Sequence, residues 1–341
     1  IGVGLASMLS PLYIAEIAPA NKRGKLVSMN QFAIIFGMLI VYFVNYFISS
    51  QGDDTWLNTV GWRWMFASEI IPASLFLFLL FFVPDTPRSL VLKYNTKKAL
   101  DVLTKVNGER EAVLILDQIK NTVTNHSAKL FSYGIPVIII GVLLSVFQQF
   151  VGINVVLYYA PEIFKSMGSG TDAALLQTII VGAINLLFTV LAIQTVDKIG
   201  RKPLMIIGAI SMAIAMFTLG TAFYTSSLGV FALACMLVYV AGFAMSWGPV
   251  AWVLLAEIFP NNIRGKALAV AVAAQWIANY FVSWTFPMMD KNSYLIEKFN
   301  HGFAYWIYGL MGVLAALFVW KFIPETKGKT LEEMNDLWEN K

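Results

Sequence analysis

Cysteine, histidine and charged residues are all scarce in this chain of 341 residues. The one cysteine, Cys235, excludes an intramolecular disulfide framework and a metal site of four thiolates. Charged residues make up 13% of the chain, about half the share of a soluble domain, whereas hydrophobic residues make up 58%. The net charge of +4 comes from basic residues scattered between apolar runs, so nucleic acid is not an expected partner. This composition predicts a protein whose surroundings are lipid.

Long apolar runs occupy most of the chain. A membrane-spanning helix needs roughly 20 mostly apolar residues. Eight runs meet this need, at 28–49, 62–83, 134–160, 173–196, 203–224, 229–256, 267–289 and 302–323. A ninth run, from Ile1 to about Ala15, is too short to span and lacks the basic start of a signal peptide. It is interpreted as the second part of a spanning helix. The fold class predicted is therefore an all-α membrane protein.

Lysine and arginine alternate between the two sets of connections. Twenty of the 24 basic residues lie in every second connection and at the C-terminus. The other four are Arg63, Lys165, Lys291 and Lys298. Basic residues accumulate on the cytoplasmic side of a membrane. The pattern therefore predicts a multi-pass membrane protein, with the long central connection and the C-terminus in the cytoplasm.

An internal repeat divides the chain into two related parts. Residues 15–25 read AEIAPANKRGK and residues 256–266 read AEIFPNNIRGK, and the Pro-Asp-Thr at 84–86 returns as Pro-Glu-Thr at 324–326. Parallel repeats of several helices are typical of the major facilitator architecture. The repeat predicts two pseudo-symmetric six-helix halves. The first half is predicted to be truncated, with about 110 residues, carrying three helices and most of a fourth, ahead of Ile1.

The repeat also predicts the domain boundaries. They are an incomplete N-terminal half at 1–84, a cytoplasmic helical linker at 85–131, a C-terminal half at 132–324 and a cytoplasmic tail at 325–341. Within the linker, apolar residues between Lys97 and Val106 recur at the helical period. The spacing predicts short helices that lie against the membrane part.

Amide side chains inside the apolar runs indicate a cavity, because an amide that faces lipid is costly. They are Gln31, Asn45, Gln148, Gln149, Asn154, Asn185, Gln275 and Asn279. Gly152 permits a helix break at mid-membrane, where transporters expose backbone to a cavity. Amides donate and accept hydrogen bonds, which suits a neutral polyhydroxylated solute, and Trp252 and Trp276 can stack on a sugar ring. The alternatives are amide contacts that join helices and an interfacial tryptophan belt.

Acids and bases recur together at the predicted cytoplasmic helix ends. Glu16 and Arg23 are seven residues apart, as are Glu257 and Arg264. Such charges can lock two halves together and release them, as alternating access requires. The predicted cytoplasmic gate consists of Glu16, Arg23, Arg88, Arg201, Glu257, Arg264 and Glu325. The alternative is an ordinary excess of cytoplasmic basic residues, although that excess requires no acids.

Several motifs together resemble those of the sugar porter family of the major facilitator superfamily. They are the two repeated Glu…Arg-Gly-Lys segments, PDTPR at 84–88, QQFVGIN at 148–154 with Tyr158 and Tyr159, DKIGRK at 197–202 and PETKG at 324–328. The resemblance covers the chain apart from about 107–131, and it is strongest to the bacterial, proton-coupled xylose branch of the family. It implies a location in a bacterial inner membrane.

The resemblance implies a set of residues that line a sugar site. They are Gln31, Gln148, Gln149, Asn154, Tyr158, Asn185, Trp252, Gln275 and Trp276. Met38 departs from the pattern, since it lies seven residues after Gln31, where xylose-transporting members carry a second glutamine and glucose facilitators an apolar residue. Loss of an amide that bonds a sugar hydroxyl changes preference. Xylose is favoured, and a hexose stays open as the substrate.

Proton coupling needs a titratable group within the membrane. Glu69 is the one carboxylate well inside an apolar run, and an intramembrane acid is a functional candidate by default. The resemblance implies a principal proton site on a helix that would precede Ile1. The alternative for Glu69 is a carboxylate that merely faces an aqueous vestibule.

The predicted function is import of a neutral monosaccharide, D-xylose favoured, by proton symport with alternating access. The alternatives are a sugar uniporter, a sugar sensor that does not transport, and a chain that is inactive as it stands. Zinc-protease, serine-hydrolase and P-loop motifs are absent from the sequence, so an enzyme is not expected. The expected partners are a sugar, a proton and the lipid bilayer, for a monomer without cofactor or metal.

Overall fold

A computed structural model of the chain describes residues 2–18, 23–124, 129–260 and 263–327. Within these ranges the chain is helical and contains no strand. The first part comprises α1 (Gly2–Ile17), α2 (Arg23–Ser49), α3 (Asp54–Trp56), a π-helical turn (Leu57–Gly61), α4 (Trp62–Ser68) and α5 (Ile70–Leu80). The segment from α3 to α5 forms one nearly continuous rod, and it packs beside α2.

Three short helices follow, within the segment 85–131 that the sequence predicts to be a linker. They are α6 (Pro87–Leu92), α7 (Thr96–Asn107) and α8 (Glu109–Thr124). The side chains of Thr86 and Asn95 cap the starts of α6 and α7 by accepting backbone N–H hydrogen bonds. The three helices enclose a small apolar core of their own, made of Leu90, Ala99, Leu103, Ala112 and Leu116.

The remaining helices form the larger part of the molecule. They are α9 (Ile135–Phe150), α10 (Ile153–Tyr158), α11 (Ala160–Ser166), α12 (Thr171–Ile199), α13 (Arg201–Tyr224), α14 (Val230–Met245), α15 (Trp247–Ile258), α16 (Arg264–Asp290), α17 (Ser293–Phe299) and α18 (Phe303–Phe322). The main apolar core runs through them from Val137 to Ile323. Helix α13 packs against α14 and α18, and α9 packs against α15 and α16.

Eight helices of the described ranges are long and apolar enough to cross a membrane, which confirms the eight predicted spans. The second span differs most, since it extends over 54–80 where the sequence predicted 62–83. It starts early because the carboxylate of Asp53 accepts a hydrogen bond from the backbone N–H of Trp56, at 2.8 Å, and so caps the helix. It ends before Pro84, which cannot continue a helix hydrogen-bonding pattern.

The first part of the chain meets the larger part along two helices. Helix α2 packs against α12 and α15, and α1 packs against α16. The two parts approach closely at Gly182 of α12, where a Cβ atom would lie 2.8 Å from the Tyr42 ring and 3.0 Å from the Leu39 side chain. A glycine at this position therefore lets α2 and α12 come together.

Candidate functional site

Two interrupted helices build the centre of the candidate site. Gly152 separates α9 from α10 in the left-handed conformation, with φ +91°, which confirms the predicted break. The second interruption lies at Ser246, between α14 and α15, within a run that the sequence had presented as one uninterrupted span. In the sequence, this interruption is indicated by Pro249. A proline has no backbone N–H, so it cannot donate to the carbonyl of Met245, where α14 ends.

Amides from three helices join at the first break. Asn154 donates from Nδ2 to Gln149 Oε1 at 2.6 Å and to Asn279 Oδ1 at 3.0 Å. Ser283 adds a hydroxyl, 3.2 Å from the same Asn279 oxygen. The break at Gly152 thus brings Asn154 back towards Gln149 and against α16. Asn279 was recognised in the sequence as an intramembrane amide but was left out of the predicted sugar site.

Gln148 connects the two interrupted helices. Its Nε2 donates to the carbonyl oxygen of Trp247 at 2.9 Å, and its side chain is 3% exposed. Its Oε1 atom is buried and has no hydrogen-bonding partner within the described residues. A buried polar atom without a partner is costly. The side chain is therefore anchored at one end and offers an acceptor at the other.

Other predicted site residues carry buried polar atoms of the same kind. In the described part of the chain, Asn185 Oδ1 and Nδ2, Gln275 Oε1 and Trp276 Nε1 lack hydrogen-bonding partners. These residues lie on α12 and α16, which pack against the helices that carry Gln148 and Trp247. The atoms include donors and acceptors, and none is charged, which matches the hydroxyl groups of a neutral sugar.

The rest of the predicted sugar site lies around this centre. Trp252 is half-buried and packs against the main core, as does Met38 of α2. Gln31, also on α2, is half-buried. Tyr158 ends α10 with 51% of its surface exposed, so it lies at the margin. The described contacts do not join Gln31 to the amide cluster.

Four of the predicted gate residues have described partners near the ends of α13, α15 and α18. Arg201 Nη2 donates to Glu257 Oε1 at 3.1 Å, and the hydroxyl of Thr326 donates to Glu257 Oε2 at 2.6 Å. Glu325 accepts from the backbone N–H groups of Arg201 and Lys202, each at 3.0 Å, at the start of α13. Arg264 Nη2 donates to a backbone carbonyl, that of Phe259, at 3.2 Å.

The environment of Glu325 favours its charged form. Burial raises the pKa of this carboxyl, but backbone N–H donors from Lys327, Arg201, Lys202 and Thr326 outweigh burial, so the pKa lies below its usual value. The positive end of the α13 dipole acts in the same direction. Glu325 therefore stays an anion at neutral pH and holds the chain after α18 against the start of α13.

The other gate candidates fall elsewhere. Arg88 is exposed at the start of α6, and Glu16 is half-buried near the end of α1. The side chain of Arg23 lies outside the described residues. The contacts described above for Arg201, Glu257, Arg264 and Glu325 all lie within the larger part of the chain. A lock between the two halves stays a prediction.

The profile of the family described as "Sugar (and other) transporter" matches residues 1–338. The chain belongs to this sugar transporter family. It is 69% identical over 343 residues to the D-xylose-proton symporter of Escherichia coli strain K12, an alignment that covers 99% of this chain and 70% of that protein. It is 44% identical over 342 residues to the glucose facilitated diffusion protein of Zymomonas mobilis, covering 99% of this chain and 72% of that one.

Solved structures show the same fold. The major facilitator superfamily proton:xylose symporter bound to 6-bromo-6-deoxy-D-glucose matches with a TM-score of 0.87 and 68% identity, over 99% of this chain and 72% of that chain. The inward open conformation of the xylose transporter from E. coli matches with a TM-score of 0.83 and 66% identity, over 99% and 70%. The predicted major facilitator fold is confirmed.

Glu69 lies apart from the amide cluster of this sugar transporter. It is exposed at the junction of α4 and α5, on the rod that packs beside α2. Its backbone N–H bonds the carbonyl of Phe66 at 3.2 Å, which marks a tightened turn between the two helices. No described contact ties Glu69 to the cluster, and its role in proton coupling stays a prediction.

Proposed function

We propose that this chain imports a neutral monosaccharide, D-xylose in preference to hexoses, by proton symport. The observation that carries the proposal is the group of buried, uncharged polar atoms without partners among the described residues, on Gln148, Asn185, Gln275 and Trp276. Sugar hydroxyls can donate hydrogen bonds to such atoms and accept them. Bound sugar would therefore remove the free-energy cost of burying these atoms without a partner. The identity to a D-xylose-proton symporter supports this substrate and this coupling.

The residues that bind sugar in this proposal are those predicted from the sequence, with Asn279 added. Asn279 belongs with them because it shares the Asn154 amide with Gln149. Trp252 and Trp276 supply the apolar surfaces on which a sugar ring stacks. The chain acts as a transporter and carries out no chemical reaction on the sugar.

Orientation is part of the same proposal. The many basic residues of the linker and of the loop before α13 support a cytoplasmic location for the linker helices and the C-terminus. Glu257, Arg201 and Glu325 then lie near the cytoplasmic ends of α15, α13 and α18. The amide cluster around the break at Gly152 lies between the two membrane surfaces.

Uptake of labelled sugar tests the transport class. D-Xylose and D-glucose uptake are measured in cells that lack their own transporters, with and without a protonophore. Because the chain spans 70% of the E. coli symporter, the chain itself is compared with a chimera that begins with the first helices of that protein. We expect xylose uptake that collapses with the proton gradient. Uptake that persists without a gradient would identify a facilitator instead.

Met38 is the residue that favours a facilitator, because the sequence resemblance implies an apolar residue at this position in glucose facilitators. Replacing Met38 with Gln introduces an amide two helical turns from Gln31 on α2. We expect the ratio of xylose to glucose uptake to rise by roughly 2- to 10-fold, the effect of one neutral hydrogen bond. The matched control is Met29→Gln, which adds the same amide at an exposed position of the same helix. An unchanged ratio in Met38→Gln would remove this residue from sugar selection.

A further inference from the structure

Both ends of the short helix α10 carry a backbone carbonyl that is released from helical hydrogen bonding. At its start, the left-handed Gly152 ends the preceding helix and leaves the carbonyl of Val151 outside the α10 pattern, which begins with Val156 N–H on Gly152 O. At its other end, Pro161 has no N–H to return to the carbonyl of Leu157, four residues earlier. An unmet carbonyl inside a membrane protein is costly.

Each of these two carbonyls accepts a hydrogen bond from a tyrosine hydroxyl. Tyr239 of α14 donates to the carbonyl of Val151 at 2.7 Å, in a fully buried setting. Tyr42 of α2 donates to the carbonyl of Leu157 at 2.9 Å. The ring of Tyr42 is held in place against Gly182 of α12. The two hydroxyls therefore fix α10 at both ends.

The two bonds differ in what they join. Tyr239 and Val151 both belong to the larger part of the chain, so a rearrangement of one half against the other leaves their bond intact. Tyr42 belongs to α2, in the first repeat, and it reaches across to the second. Any motion that separates α2 from α10 must break the bond between Tyr42 and Leu157. The bond at the start of α10 thus lies within the larger part of the chain, and the bond at its other end joins the two parts.

We propose that Tyr42 is a positioning residue for transport, and that its hydroxyl latches α10 to the opposite half of the protein. Helix α10 carries Asn154, which is bonded to Gln149 and Asn279, so the latch fixes the amide cluster indirectly. The inference rests on the proposed function, because it assigns the latch to a transport movement.

The strength of the latch suits a reversible contact. The bond joins two neutral groups. Such a bond stabilises the latched conformer only modestly, because both groups can form other hydrogen bonds when α2 and α10 separate. Its loss shifts the ratio of separated to latched conformers by roughly 2- to 10-fold. A second contact between the halves, from Thr171 Oγ1 to Asp54 Oδ1 at 3.2 Å, is exposed. Of these two hydrogen bonds, the one from Tyr42 to Leu157 is the more buried.

Distance measurements between spin labels test the latch without sugar. Labels are placed on cysteines at Ser50, exposed at the end of α2, and at Lys165 on α11, in a Cys235→Ala background. We expect Tyr42→Phe to raise the ratio of long to short distances by roughly 2- to 10-fold, because the ring and its packing remain while the hydroxyl is lost. Tyr46→Phe, one turn along the same helix, is the matched control and should leave the distances unchanged.

Restoring the missing N–H gives an independent test. Pro161→Ala supplies an N–H within reach of the Leu157 carbonyl, so the hydroxyl of Tyr42 becomes less important. We expect Tyr42→Phe to have a clearly smaller effect on the distances in the Pro161→Ala background than in the parent protein. Such non-additive effects would show that Tyr42 and the Leu157 carbonyl are directly coupled. A merely structural role of Tyr42 would give equal effects in both.

The outcomes separate this inference from the proposed function. An unchanged distance distribution in Tyr42→Phe, or equal effects with and without Pro161, would overturn the latch. Both readouts are taken in the absence of sugar and on the form of the protein that is used for uptake. A protein that binds and imports no sugar would overturn the proposed function, whereas the distance distributions alone would still decide whether the latch exists.

Discussion

Replacing Gln148 with Ala should weaken D-xylose binding by roughly 5- to 150-fold, which corresponds to about 1–3 kcal/mol for a buried hydrogen-bonding group. The substitution removes the Oε1 atom, which is buried without a partner among the described residues and is available to a sugar hydroxyl. It also leaves the carbonyl of Trp247 without the donor that lies 2.9 Å away. Equilibrium binding of xylose to the purified protein measures the loss directly.

The matched control for this prediction is Gln194→Ala. Gln194 lies on α12 as an exposed amide, so its removal takes away the same chemical group without touching the site. Thermal unfolding is followed for both variants, so that loss of fold is distinguished from loss of binding. A folded Gln148→Ala protein that binds xylose with the parent affinity would show that the sugar site is misplaced.

Replacing Gly152 with Ala should destabilise the protein by about 2–5 kcal/mol and abolish uptake. A left-handed backbone costs a residue with a Cβ atom about 1–2 kcal/mol, and overpacking typically adds about 1–3 kcal/mol. The backbone at Gly152 has φ +91°, and a Cβ there would lie 2.7 Å from Tyr308 Cγ and 2.8 Å from Cδ1. Thermal unfolding and xylose uptake measure the two effects.

Two other glycines separate the causes. Gly168 has φ +94° with open space around it, so Gly168→Ala should show the backbone cost alone. Gly37 lies within helix α2 with open space around it, so Gly37→Ala should be neutral or slightly stabilising, as expected for a helical alanine. In the Gly152→Ala background, Tyr308→Leu should recover the steric part only. Equal effects at all three glycines would exclude a special role of the helix break.

The sequence predicted those features of the fold that depend on neighbouring residues. Eight apolar runs were long enough to span a membrane, and the structure confirmed eight spans because length and hydropathy decide this property locally. The break at Gly152 was predicted for the same reason, since a glycine tolerates a backbone that other residues avoid. The predicted start of the second span was wrong by eight residues, because Asp53 caps the helix ahead of the apolar run.

The sequence also determined the chemical type of the candidate site, since neutral amides and tryptophans within apolar runs indicate a neutral polar solute. The pairing of these groups depended on how distant helices approach one another, which no local pattern carries. Asn154 meets Asn279 across 125 positions, and Tyr42 meets Leu157 across 115. Only the packing of α2, α9, α10 and α16 decided which amides bond one another, which buried polar atoms have no partner among the described residues, and which hydroxyl joins α2 to α10.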